Sequence, residues 1–135
     1  MREQLLTALH KSLWASLRHT FNTDRVLLGV GYLVNFAAFV LLLVLLPERL
    51  TAAVVAVACI GVINVLIFLS LRNSLAEAEQ TLSQLDKIYA DHDLAKYFGT
   101  GEATYYRGRY RLWLILQPSI LLFAVIVAVA IRYAP

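Results

Sequence analysis

Three amide side chains are the first residues in this sequence whose type and position could do chemistry. Asn35, Asn64 and Gln117 each interrupt a long apolar segment. An amide carries N–H donors and an oxygen acceptor, and inside a lipid bilayer these groups must find partners within the protein. They can hydrogen-bond between helices or, alternatively, line a polar path through an oligomer. The sequence therefore predicts either interhelical polar contacts or a lumen at these three positions.

A second group combines basic and aromatic residues directly before the last apolar segment. Arginine forks match the geometry of phosphate, and Tyr and Trp are typical of the membrane–water interface. We interpret the group as an interfacial anchor or, more sharply, as contacts to an anionic lipid or a phosphorylated ligand. Its members are Tyr105, Tyr106, Arg107, Arg109, Tyr110, Arg111 and Trp113.

The remaining polar residues do not form an enzyme-like pattern. Ser70, Ser74 and Thr104 have no neighbouring His or carboxylate in a triad spacing, and residues 99–101 lack the lysine of a phosphate loop. The single cysteine, Cys59, excludes a disulfide framework within the chain. We therefore expect no enzymatic activity, no cofactor and no metal.

The composition is that of a membrane protein. Of the 135 residues, 60% are hydrophobic and only 16% are charged, and the mean hydropathy is +0.68. Soluble domains carry about 25% charged residues. The net charge of +3 comes from basic residues that flank apolar segments, which favours membrane topology over nucleic-acid binding. We expect one membrane domain that covers residues 1–135.

The apolar segments predict an all-α integral membrane fold with three transmembrane helices, at residues 26–46, 50–71 and 112–131. Each has about 20 residues and no Asp, Glu, Lys or Arg, which suffices to cross a hydrocarbon layer about 30 Å thick. Because residues 47–49 leave room only for a tight turn, the first two spans must be antiparallel neighbours. A proline, Pro118, predicts a kink in the third span.

An amphipathic helix is predicted before the first span, at residues 1–22. Asn22, Thr23 and Asp24 are capping residues and indicate that a new helix begins there. The apolar face of the first helix would lie in the headgroup plane or pack on the cytosolic helix or a neighbouring subunit.

A cytosolic helix is predicted between the second and third spans, at residues 74–98. Its apolar residues Leu75, Ala78, Leu82, Leu85 and Tyr89 continue a stripe that begins at Leu71. Ser74 and Glu77 fit a capping box, which favours a break, whereas the unbroken stripe favours a helix that continues from the span. We favour the continuous helix, with a stop near residues 99–101 and a loop at 102–111.

The basic residues predict the orientation. Ten of them fall on the side of the N-terminus and only Arg49 and Arg132 on the other, so we expect a cytosolic N-terminus and an external C-terminus in a bacterial plasma membrane. The ten are Arg2, Lys11, Arg18, Arg25, Arg72, Lys87, Lys96, Arg107, Arg109 and Arg111.

Small residues and the cytosolic stripe are the predicted surfaces for helix–helix association. Small side chains let helix backbones approach closely in lipid, where apolar burial gives little driving force. The predicted association residues are Ala52, Ala56, Gly61, Ala124, Ala128, Leu75, Leu82, Leu85 and Tyr89.

In layout, residues 26–98 resemble the SLATT membrane proteins, which are linked to bacterial nucleotide-sensing conflict systems and consist of two hairpinned spans followed by a cytosolic helix. The resemblance implies an oligomeric, pore-like effector. The third span of this chain departs from that two-span plan.

We expect a small, non-enzymatic integral membrane protein that self-associates or serves as an accessory or structural subunit of a larger membrane complex. The alternative is a small homo-oligomeric channel or pore-forming effector with a cytosolic sensing helix. The expected partners are membrane lipids and second copies or other membrane subunits, without nucleic acid.

Overall fold

Three long helices make up the described part of the chain. The computed structural model describes residues 1–46, 48–92 and 101–133, and it places them in α1 (Arg2–Leu45), α2 (Leu50–Asp91) and α3 (Gly101–Tyr133). Each helix contains a stretch long and apolar enough to cross a membrane. The described residues thus form an all-α bundle whose three candidate spans indicate a multi-pass membrane protein.

The predicted break between an amphipathic helix and the first span is absent, because α1 continues through Asn22, Thr23 and Asp24. The Thr23 hydroxyl donates to the backbone carbonyl of His19, one turn earlier in the same helix (3.0 Å). The Asp24 carboxylate is buried and accepts hydrogen bonds from other helices. Both side chains have capping chemistry, but neither caps a helix here.

The part of the chain that the structure describes has no separate cytosolic helix either, because α2 runs without interruption from Leu50 to Asp91. The Ser74 hydroxyl, which could have capped a new helix, donates to Asp24 on α1. The continuous alternative is therefore the one observed. The helix ends earlier than predicted, at Asp91, and the predicted stop at Gly99 and Thr100 lies outside the described residues.

The predicted loop at residues 102–111 is wrong, since these residues form the first turns of α3. Tyr106, Tyr110 and Trp113 recur at spacings of four and three and pack into the bundle, so this aromatic segment has an apolar helical face. The helix contains Pro118 and continues to Tyr133.

A heptad pattern of buried residues explains why the helices are so long. On α1 the buried positions alternate at spacings of four and three, a period of 3.5 residues that keeps one seam facing the neighbouring helices as in a coiled coil. This seam crosses the predicted break without a change of phase. Its residues are Leu17, Phe21, Asp24, Leu28, Gly31, Asn35, Ala38 and Leu42.

The order of contacts fixes the directions of the helices. Along α1, Asp24 and Asn35 meet Ser74 and Asn64 of α2 in reverse order, so these two helices are antiparallel. Asp24 meets Tyr110 of α3, and Gly31 lies against Gln117, so α1 and α3 are parallel.

Two apolar clusters fill the seam. The smaller lies near the α1–α2 connection and contains the buried residues Leu42, Ala53 and Ala128. The larger extends towards the other end and includes residues 17–28 of α1, 67–89 of α2 and 110–113 of α3. The apolar residues of α1 from Leu13 to Phe21 therefore pack on α2 and α3, whereas Leu5 and Leu9 are exposed.

Candidate functional site

The three predicted amides meet at one level of the bundle, which we call the amide layer (Asn35, Asn64 and Gln117). Asn35 Nδ2 donates to Asn64 Oδ1 at 3.1 Å, and Asn64 Nδ2 donates back to Asn35 Oδ1 at 2.7 Å. Gln117 Nε2 also donates to Asn64 Oδ1, at 2.9 Å. The side chains are 1%, 5% and 0% exposed. Asn64 is the hub, because both other amides bind to it.

A glycine on α1 makes room for the third amide. A Cβ atom built on Gly31 would lie 2.5 Å from Gln117 Nε2 and 3.0 Å from Gln117 Oε1. Any larger residue at this position would push the Gln117 amide away from Asn64. The sequence analysis did not identify this role, although Gly31 stands one helical turn before Asn35.

One acceptor in the amide layer has no donor. Gln117 Oε1 is buried and has no hydrogen-bond partner among the described residues. A buried unpaired acceptor costs about 1–3 kcal/mol. The amide of Gln117 is thus held through its nitrogen alone, and its position depends on Asn64.

A second polar level also takes one residue from each helix, and we call it the carboxylate layer (Asp24, Ser74 and Tyr110). Tyr110 donates its hydroxyl proton to Asp24 Oδ2 at 2.5 Å, and Ser74 Oγ donates to Asp24 Oδ1 at 3.0 Å. Both carboxylate oxygens are therefore bound, which compensates the burial of a charge. Sequence reasoning missed this layer because Asp24 had a local explanation as a capping residue.

A third polar contact joins the far ends of α1 and α2. The Tyr89 hydroxyl lies 2.8 Å from His10 Nε2, and Trp14 Nε1 donates to the Tyr89 oxygen at 3.0 Å and to His10 Nε2 at 3.2 Å. Because an indole N–H can only donate, His10 Nε2 is an acceptor in this arrangement. These residues fix the α1–α2 pairing beyond the apolar spans.

The predicted lipid-contact residues divide between the interior and the surface. Tyr110 is fully buried and Trp113 stacks on Phe21 at a ring-centroid distance of 4.8 Å. Tyr106 meets Phe21 edge-on, also at 4.8 Å. Tyr110 was predicted to contact lipid; its hydroxyl and ring are both enclosed by the bundle in this single chain.

The surface members of that group border a groove between α1 and α3. The groove has a volume of about 400 Å³. Arg109 lies over the Tyr105 ring, 5.2 Å from its centroid, and both side chains are exposed. Arg111 is exposed outside the groove and Arg107 is half-buried. The residues that line the groove are Phe21, Arg25, Leu28, Gly29, Tyr32, Tyr105, Arg109, Leu112, Trp113 and Leu116.

The predicted association residues also separate by burial. The inner group already packs within the chain, so its side chains are not available to a second copy; it consists of Leu82, Leu85, Tyr89, Ala124 and Ala128. The outer group retains access to lipid or a partner; it consists of Ala52, which is exposed, and Ala56, Gly61 and Leu75, which are half-buried.

Comparisons of the chain with protein-family models, with curated proteins and with solved structures found no match. The resemblance to the SLATT layout therefore depends on architecture alone. The function proposed below is therefore based on the structure and its polar layers.

Replacing Gly31 with Ala is expected to destabilise the bundle by about 1–3 kcal/mol, because the new methyl group displaces the Gln117 amide. Gly29→Ala is the matched control: its Cβ would meet no atom within 4 Å, so stability should change by less than about 1 kcal/mol. Thermal unfolding in detergent, followed by circular dichroism, measures both. Adding Gln117→Ala to Gly31→Ala should recover part of the loss; a purely additive double variant would contradict the proposed clash.

Replacing Asn64 with Ala is expected to cost about 1–3 kcal/mol, because Asn35 and Gln117 both lose their partner in a buried position. Asn73→Ala, on the exposed surface of the same helix, should leave the unfolding temperature nearly unchanged. Equal effects of the two substitutions in the same unfolding assay would show that the amide layer contributes little.

Proposed function

We propose that this chain is a small, non-enzymatic integral membrane protein that self-associates or serves as an accessory or structural subunit of a larger membrane complex. The observation that supports the proposal is that the buried polar groups of the chain bind one another between the helices. The amide and carboxylate layers each draw one side chain from every helix into the bundle. This is chemistry that holds helices together, and it favours a scaffold over a catalyst.

The outer surface of the apolar spans supports association in the membrane. Small residues favour close helix contact in lipid, and on α2 the residues Ala52, Ala56 and Cys59 recur at spacings of four and three. They lie on one side of the helix, with Ile63 continuing the row. Ala52, Cys59 and Ile63 are exposed within the single chain, so a second copy or another subunit can pack there.

The long ends of α1 and α2 offer a second surface for a partner. Each of these helices has more than 40 residues, or about 60 Å, which is twice the thickness of the hydrocarbon layer. The basic residues predict that this extension is cytosolic and that the C-terminus lies outside. The proposed location is a bacterial plasma membrane.

The inward-facing amides favour this function over the pore alternative. A pore lumen needs polar side chains that face the space between copies, whereas Asn35, Asn64 and Gln117 bind one another inside one copy. The pore would require these hydrogen bonds to open.

Oxidative crosslinking of native membranes tests self-association. Because Cys59 is the single cysteine of the chain and is exposed on the Ala52–Ala56 side, oxidation is expected to give a covalent dimer. Ala56→Leu should reduce the yield several-fold by holding the helices apart. The matched control is Cys59→Ser with Ala58→Cys, which moves the thiol about 100° around the helix at nearly the same depth and should crosslink poorly.

Two results would oppose the proposal of a structural subunit. One is equal crosslinking from both cysteine positions, which indicates random collisions. The other is a monomeric protein that co-purifies with no membrane subunit after gentle detergent extraction.

Conductance measurements separate the subunit from the pore. The purified protein in liposomes is expected to give no current above that of empty liposomes, because the three amide side chains of the spans are enclosed. A current that disappears in Asn64→Leu would instead support the channel.

A further inference from the structure

The groove between α1 and α3 has two arginines, Arg25 and Arg109, at one end and mostly apolar residues along the rest of its floor. Arg25 directly follows Asp24 on α1, and Arg109 directly precedes Tyr110 on α3. Since Asp24 and Tyr110 bind each other and the helices are parallel, the two arginines differ in height by about two residues, or about 3 Å. They therefore flank the same groove from opposite sides.

The charges of these arginines are not neutralised within the bundle. Among residues 1–46, 48–92 and 101–133, no carboxylate forms an ion pair with Arg25 or Arg109. The nearby Asp24 faces the interior and is bound by Tyr110 and Ser74. The guanidinium of Arg109 lies over the Tyr105 ring, which restrains it beside the groove. Two guanidinium groups beside one groove and without an internal anion are suited to binding a phosphate.

The rest of the groove extends into the apolar span. From the level of the arginines it passes Leu28, Gly29 and Leu116 to Tyr32, about seven residues or 10 Å further along α1. The floor is open at Gly29, because a Cβ atom built there would meet nothing within 4 Å. A free phosphate would leave this apolar half unused, whereas a lipid tail would fill it.

We propose that this groove binds an anionic phospholipid, with its phosphate between Arg25 and Arg109 and one acyl chain along Gly29 towards Tyr32. This site differs from the cluster that was predicted from the sequence. It shares Arg109 and Tyr105 with that cluster, and it also includes Arg25 and Tyr32 of α1, which is far away in the sequence. The proposal is independent of self-association, because all the lining residues belong to one copy.

Native mass spectrometry of the full chain in neutral detergent tests the proposal. The probes are dioleoyl phosphatidylglycerol, dioleoyl phosphatidylcholine and inorganic phosphate. Phosphatidylglycerol is expected to bind about tenfold more tightly than phosphatidylcholine, and Arg25→Gln with Arg109→Gln should remove about that factor. The matched control is Arg18→Gln with Arg72→Gln, which removes the same charge from exposed positions outside the groove and should leave binding unchanged.

A steric variant tests the apolar half. Gly29→Leu should fill the floor and weaken phosphatidylglycerol binding about tenfold, whereas Gly61→Leu adds the same side chain at another open glycine, outside the groove, and should have little effect. Circular dichroism and gel filtration verify that each variant keeps its helices and its size.

Four results would overturn the assignment. These are equal binding of the two lipids, an equal loss in the control arginine pair, full binding by Gly29→Leu, and competition by inorganic phosphate at concentrations comparable to the lipid. The last result would identify a soluble phosphate ligand rather than a membrane lipid.

Discussion

The hydrogen bonds of Asn64 are the interaction on which the membrane part of this bundle depends. In hydrocarbon no water is present to satisfy an amide, so the N–H and C=O groups of the amide layer depend on partners inside the protein, which among the described residues only Gln117 Oε1 lacks. Asn64 meets this demand for three helices, since it binds Asn35 and Gln117 and also donates to the Ile60 carbonyl of its own helix. Gly31 is small for the same reason: any side chain there would displace Gln117.

The same 3.5-residue repeat of buried positions continues through the apolar span and beyond it. Within the apolar span the seam carries small and polar residues, such as Ala38 and Asn35, which allow close approach and hydrogen bonding where burial of apolar surface gives little energy. Beyond the span it carries Leu82, Leu85 and Phe21, which gain from leaving water. The same helices can therefore continue from lipid into water without a break, because only the chemistry of the seam changes.

The sequence was sufficient for the features that depend on composition and period. Three apolar segments gave the three helices, and the stripe from Leu71 to Tyr89 gave the continuity of α2. Local sequence patterns predicted the wrong role for a side chain where that side chain binds a residue far away in the sequence. Asp24 and Ser74 both have the chemistry of helix caps, yet each binds a residue about 50 positions away, and no local pattern reports that pairing. The heptad spacing of Asp24, Leu28, Gly31 and Asn35 was the sequence pattern that indicated a continuous helix. It outweighs the capping residues because the burial of a long seam stabilises the structure more than a single helix cap does.

The polar layers also determine which alignment of the helices is possible. An apolar heptad seam tolerates a slip of seven residues, because each leucine layer resembles the next. In this bundle such a slip of α2 would place Asn35 opposite Val57 or Leu71, and both hydrogen bonds between Asn35 and Asn64 would be lost. The same slip would place Asp24 opposite Ile67, which cannot donate a hydrogen bond, or opposite Thr81, whose hydroxyl could replace that of Ser74. Each unpaired group costs about 1–3 kcal/mol, and a buried charge costs more. The amide layer therefore disfavours both slips and the carboxylate layer disfavours one of them, along a seam whose apolar residues alone would permit several registers.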